Sequence, residues 1–282
     1  MKIVACGDSW CWGAELVDPG HPPFWIDEIS NHHLHFEPVH ERYRLKHKYI
    51  QVFAENVQAD EIIDLSHCSI SNDAVVRRLV EWLTVEGYTT GRDTSELFIS
   101  IGWTTPERTE FYCKSEIGVD GFWTPFGSWS MNKGVYVEND VAKFMELYYK
   151  HFLSPGSFIH HWLLLIWQTE MLLKKFNIKY VMFQAFYDHS YSGYMPHHWD
   201  DILYTADYID SLTPGDKVIM QSIDPIRFME MSPTKIGTSH NYMVSVVAGD
   251  APKVIRLWHP NANGHSIWGE HMSKYCLENK LL

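Results

Sequence analysis

Four short segments carry the residue types that acyl-transfer chemistry needs. Gly7-Asp8-Ser9 follows the apolar run Ile3-Val4-Ala5-Cys6, and His259-Pro260-Asn261 lies near the other end of the chain. A serine placed where a strand turns into a helix is exposed for activation by a neighbouring base. An imidazole is the commonest such base, because it exchanges a proton near neutral pH. Between these two segments lie Ser66-His67-Cys68-Ser69-Ile70-Ser71-Asn72 and Gly102-Trp103-Thr104. Backbone N–H groups, an amide and a hydroxyl are the donors that stabilise a tetrahedral oxyanion. This order of serine, donors and histidine suits a serine esterase built on a parallel sheet.

Each residue also has a plainer role open to it. Ser9 suits a helix N-cap, and so do Ser71 and Asn72 for the helix that follows them. Asp8 stands in the candidate catalytic block, yet its type also suits a turn that accepts backbone hydrogen bonds. His259 before Pro260 suits a helix start, and His265 reads as packing or surface. Arg108 and Glu110 read as partners in a salt bridge, with substrate binding as the other option.

The elements that must position these residues alternate along the chain. Lys2 to Cys6, Glu61 to Leu65, Leu97 to Ile101 and Ile178 to Phe183 read as short buried strands. A last strand is expected at Met243 to Val247 or Val254 to Leu257. Helices are expected near Ser9, over residues 42–57, 71–86, 140–152, 157–176, 199–211 and 261–277. Alternating strands and helices predict a mostly parallel sheet covered on both faces, with the site beyond the carboxyl ends of its strands. Ser9, Ser69 and Gly102 each follow an expected strand, so they converge on one edge. We expect a single domain over residues 1–282, with insertions around 17–41, 103–138 and 184–242.

Here the chain resembles the SGNH (GDSL-type) serine hydrolase family, which carries four short blocks in fixed order. Gly7-Asp8-Ser9-Trp10 matches the first block, placing Ser9 at the nucleophile. Ser66 to Asn72 matches the second, with Ser69 where the family usually has glycine and its backbone N–H as oxyanion donor. Gly102-Trp103-Thr104 matches the third, with Thr104 where the family has an asparagine donor. His259 matches the histidine of the last block, but Arg256 stands where the family places its aspartate. The resemblance implies a three-layer α/β/α flavodoxin-like fold. It also implies a carboxylic-ester hydrolase with Ser9 as nucleophile and His259 as general base. The run Gly102 to Arg108 looks like a bacteriophage-encoded subgroup. Loss of the acid leaves three alternatives: a Ser9–His259 dyad, an acid from elsewhere such as Asp250, or a catalytically silent binding protein.

Bulk properties narrow the partners. The net charge of −12 opposes phosphate backbones, so no nucleic acid is expected. The many aromatic residues suit a cleft for a small-molecule or carbohydrate ester, such as an acetylated sugar. Five cysteines without a CxxC pair read as free thiols in a reducing compartment. The N-terminal apolar run is too short for a signal peptide, and Trp162 to Trp167 is too short to span a bilayer. A cytoplasmic protein without membrane contact is expected. His32, His33, His35 and His40 cluster, and His197-His198 precede Asp200-Asp201, but neither matches a zinc spacing. No metal or cofactor is expected.

Overall fold

A computed structural model describes residues 1–13, 16, 18, 20, 38–68, 70–106, 108–113, 122–126, 143–144, 147–148, 151, 155–185, 212–229, 255–256 and 259–282. Within these, the side chains of Ser9, Trp10, Cys113, residues 122–126, Pro155, Ile255, Arg256 and His259 lie outside the description. The strands in chain order are β1 (Lys2–Cys6), β2 (Glu61–Asp64), β3 (Leu97–Trp103), β4 (Thr109–Cys113), β5 (Phe122–Phe126), β6 (Lys179–Gln184), β7 (Ile255–Arg256) and β8 (His259–Pro260). The helices are α1 (Ser9–Trp12), α2 (Pro38–His47), α3 (Tyr49–Asn56), α4 (Asn72–Val85), α5 (Pro155–Lys175), α6 (Pro214–Ser222) and α7 (Ala262–Glu278).

Four strands form one parallel sheet in the order β2-β1-β3-β6. The two-residue period of each strand divides its side chains between two cores. Val4, Cys6, Ile99, Ile101, Tyr180 and Met182 pack with α4, α5 and α6. Ile3, Ala5, Phe98, Val181 and Phe183 pack with α3 and α7. The fold is therefore mixed α/β, a parallel sheet with helices on both faces. Strand order reverses between β1 and β3, and in such sheets the crevice at the reversal, beyond the carboxyl ends, is where ligands bind. The turns after β1 and β3 meet there.

Local chemistry explains where the helices begin. Ser71 caps α4, its hydroxyl accepting from the Ala74 N–H at 3.0 Å. Asn261 caps α7 by accepting from the Gly264 N–H at 3.1 Å. Gly269 lets α7 close on α3, since a Cβ there would sit 2.7 Å from the Tyr49 carbonyl oxygen. The single helix expected over 42–57 is two, because Lys48 is extended (ψ 152°) and turns the chain between them. Its ammonium is buried against Asp64 Oδ2 at 2.5 Å, which fixes that bend.

Several expectations move. The strand expected at Val254 to Leu257 does not join the main sheet; Ile255–Arg256 pairs antiparallel with β8 instead. Beyond β6, Phe228 bridges Met182 in parallel, occupying the place a fifth strand would take. Met243 to Val247 and the helix expected over 199–211 lie outside the described residues, as does most of the three expected insertions. Helix α6 was not expected, although Thr213, Pro214 and Asp216 spell a capping box with proline at the first turn. Among the described residues no helix is long and apolar enough to cross a membrane.

Candidate active site

The site is built on α1, a single helical turn that follows β1. A helix this short has no stability of its own, so its position must come from its surroundings. The Trp12 N–H donates to the Asp8 carbonyl at 2.8 Å and closes the turn. Cys11 drops into a cradle made by two glycines, because a Cβ at either Gly7 or Gly102 would overlap its thiol. A Cβ at Gly102 would also press within 2.9 Å of the Phe183 ring. Gly102 is a residue of β3 itself rather than of a turn after it, and its bare backbone is what admits α1. Burial pushes the Cys11 thiol well above the ordinary thiol range and raises Cys6 too. Neither competes with a serine as nucleophile.

Ser9 opens α1, and His259 opens β8, whose register partner in β7 is Arg256. Residues of α1 and β8 approach within 8 Å between α-carbons, so the two ends of the chain meet at this point. Arg256, standing where an acid would be expected, is thus directly across the ladder from His259. Ser69 and Asp250 lie outside the described residues.

Asp8 is 0% exposed and faces Arg108, whose Nη1 lies 3.3 Å from Asp8 Oδ2. The salt bridge expected between Arg108 and Glu110 is not formed. Glu110 instead takes a two-pronged grip from Arg77 on α4, at 2.9 and 3.1 Å. Asn72 is buried, and its amide is used on the chain after β3. Its Oδ1 accepts from the Thr104 N–H at 2.9 Å, and its Nδ2 donates to the Thr105 carbonyl at 2.9 Å. Asn72 therefore holds the third block in place. Thr104 is fully buried, and its hydroxyl has no hydrogen-bond partner among the described residues.

Two nearby residues escaped the sequence reading. Arg44 donates from Nη1 to the Trp12 carbonyl at 2.8 Å and lays its guanidinium 4.2 Å from the Trp12 ring centre. His67 stacks on Trp12 with centroids 5.9 Å apart, and its N–H donates to the Gly7 carbonyl at 3.0 Å. Its Nδ1 lies 2.9 Å from the Cys68 carbonyl, an acceptor, so the Nδ1 N–H donates there. His67 sits inside the second block, and a histidine three residues beyond the end of β2 was the available signal. Trp12 and Trp103 are both buried, so neither is an open cleft wall.

Two of the remaining histidines are also accounted for by packing. His265 is buried, and its Nδ1 accepts the Tyr49 N–H at 3.2 Å, capping α3 from α7. His40 is buried and accepts from the Asp18 N–H at 3.1 Å, while His32, His33, His35, His197 and His198 lie outside the described residues.

A family model described as a family of unknown function (DUF6071) matches residues 27–281. The chain belongs to this family. The match begins downstream of α1 and runs through the DUF6071 chain past the end of α7. No curated protein matches it. Two solved structures are similar along nearly the whole length, the lipase Lip_vut3 from a goat rumen metagenome and the psychrotrophic esterase EstA from Pseudoalteromonas sp., the latter inhibited by monoethylphosphonate. Each is 11% identical with a TM-score of 0.44, covering 98% of this chain and 97% of its own.

Proposed function

We propose that this DUF6071 chain is a serine acylhydrolase of the SGNH type, cleaving a carboxylic ester through an acyl-enzyme on Ser9. The observation that carries the reading is the approach of α1 to β8 at the point where strand order reverses. Two segments from opposite ends of the chain, one opening with serine and one with histidine, meet where such sheets bind ligands. His259 takes the Ser9 proton as the hydroxyl oxygen attacks the ester carbonyl carbon, then returns it to the departing alcohol. Water repeats the sequence on the acyl-enzyme and frees the acid. In this reading the backbone N–H groups of Ser9 and Ser69, with the Thr104 hydroxyl, are the donors that stabilise the developing oxyanion. Asn72 serves by holding Thr104, and Asp8 by holding the turn. The aromatic content favours an acylated carbohydrate as substrate, and the free thiols of Cys6, Cys11, Cys68 and Cys276 favour the cytoplasm.

The second reading is a silent binding protein on the same fold, holding a glycan or structural partner. Arg256 at the position where the resemblance calls for an acid favours it, since a guanidinium cannot accept the imidazole N–H. Labelling with a fluorophosphonate probe separates the two. Modification mapped to Ser9, and lost in Ser9→Ala and His259→Ala, is the expected result. A folded protein that takes no label at Ser9 overturns the hydrolase and leaves the binding protein.

A further inference from the structure

We propose that Arg108 and Arg44 are positioning residues for the nucleophile, gripping α1 at its two ends so that Ser9 is held in register with the site. The inference rests on the reading of Ser9 given above.

The grip at the start of α1 acts through Asp8. This carboxylate is 0% exposed, and a charge so placed needs an opposite charge beside it. Arg108, 11% exposed at its side chain, supplies it at 3.3 Å. Arg108 is itself fixed from both directions along the chain. On one side its N–H donates to the Thr105 carbonyl at 3.1 Å, and the same carbonyl accepts from Asn72. On the other side Glu110 is locked to Arg77. The guanidinium is therefore mounted between two anchors on α4 and reaches back to the residue that precedes Ser9.

The grip at the end of α1 acts through Trp12. A one-turn helix leaves its last carbonyls without helical partners. Arg44 Nη1 satisfies the Trp12 carbonyl, and the guanidinium plane covers the indole. The remaining guanidinium nitrogens are held by Glu41, Nε at 2.9 Å and Nη2 at 2.5 Å. Trp12 thus stacks with both a fixed guanidinium and His67. Cys11, midway, is sealed in the glycine cradle. Ser9 and Trp12 are three positions apart, the spacing that places two positions on one side of a helix. Whatever fixes Trp12 fixes the side of the turn on which Ser9 stands.

The test uses Arg108→Gln, Arg44→Gln, Arg108→Lys, Arg44→Lys and the double variant Asp8→Asn/Arg108→Gln in the full chain. Two quantities are read: the rate of fluorophosphonate labelling at Ser9, and hydrogen exchange of residues 7–13 against that of α7. Each Gln variant should slow labelling on the order of 10–100-fold, because misplacement by about 1 Å costs up to about 10²-fold. Exchange should rise in residues 7–13 and stay unchanged in α7. Arg108→Lys should recover part of the rate, since a point charge still serves Asp8. Arg44→Lys should not, because the stack and the fork need a guanidinium. The double variant removes both charges, so it folds where Arg108→Gln does not, and it should still label slowly. Wild-type rates and exchange in the variants overturn the inference while leaving Ser9 as nucleophile. Exchange that rises equally in α7 overturns it as well, reducing both arginines to general stabilisers. A wild-type protein that takes no label at Ser9 overturns the nucleophile and the positioning role together, whatever residues 7–13 do.

Discussion

At Thr104 a buried hydroxyl without a partner among the described residues stands at the carboxyl end of β3. An orphaned buried polar group costs about 1–3 kcal/mol, so it persists where it does something else. Thr104→Val keeps the shape and removes the hydroxyl. We expect the urea midpoint to hold or rise, while labelling of Ser9 falls by about 10²–10³, the usual cost of one oxyanion donor. Equal labelling in Thr104→Val would remove the hydroxyl from the site. Asn72→Ala should do the reverse in stability. It strands the Thr104 N–H and leaves the Thr105 carbonyl with the Arg108 N–H as donor, and should cost about 1–3 kcal/mol by urea denaturation. A loss below about 1 kcal/mol would mean that the loop after β3 has other supports. The order of the four blocks was legible in the residues themselves. What Asn72 binds was not, because its two partners are backbone atoms over thirty positions away, and no residue type announces a backbone acceptor. Arg108 was paired with the wrong carboxylate for the same reason. Its near neighbour Glu110 is closer in sequence, but strand β4 turns that side chain toward Arg77.

At the scale of elements, the decisive fit is α1 against β1 and β3. Gly102→Ala places a methyl group against the Cys11 thiol and within 2.9 Å of the Phe183 ring. Overpacking of this kind typically costs about 1–3 kcal/mol and shifts backbone. We expect Gly102→Ala to lower the thermal midpoint and to slow Ser9 labelling together, as α1 is pushed from the sheet. Cys11→Ala in the same chain removes the closest obstacle and should restore part of both. No rescue would place the strain at Phe183 instead. Strands β1, β3 and β6 were legible as short apolar runs buried on both faces, the edge strand β2 from Ile62 and Ile63 alone, and α4 and α7 because cap and stripe agree. The bend at Lys48 was not. Helical periodicity continues straight through it, and only burial of its ammonium against Asp64 reveals the break. Strand β7 misled for the opposite reason. An apolar residue at Ile255 reads as sheet, yet two residues paired to β8 satisfy it locally.

For the whole molecule, the helices on one face of the sheet are tied together by two consecutive histidines of α5. His160 Nδ1 lies 2.5 Å from Asp216 Oδ1 of α6, and His161 Nε2 lies 2.8 Å from Asp73 Oδ1 of α4. The hydrogen bond to Asp73 raises the His161 imidazole above its ordinary value of 6.5. A group raised on folding contributes fully below its unfolded value and loses that contribution as pH climbs through the folded one. Burial alone would push the Asp216 carboxyl up, but bonds from His160 and Thr213 outweigh it and hold it below 3.8. Its contribution is present above that ordinary value and fades as pH falls through the lowered one. Both ties are therefore complete between about pH 4 and pH 6.5, and the His161 tie weakens above that window. The net charge of −12 also disfavours the folded state as the histidines lose their protons, so a falling midpoint alone would not identify the tie. The comparison with His161→Gln does. Its urea midpoint should lie below wild type at pH 6 and converge on it by about pH 8, since only the wild type has the tie to lose. The gap at pH 6 should narrow in high salt, because the imidazole is half exposed. Curves that stay parallel from pH 6 to 8 would show that His161 holds Asp73 as a neutral hydrogen-bond donor, with no charge involved in binding α5 to α4.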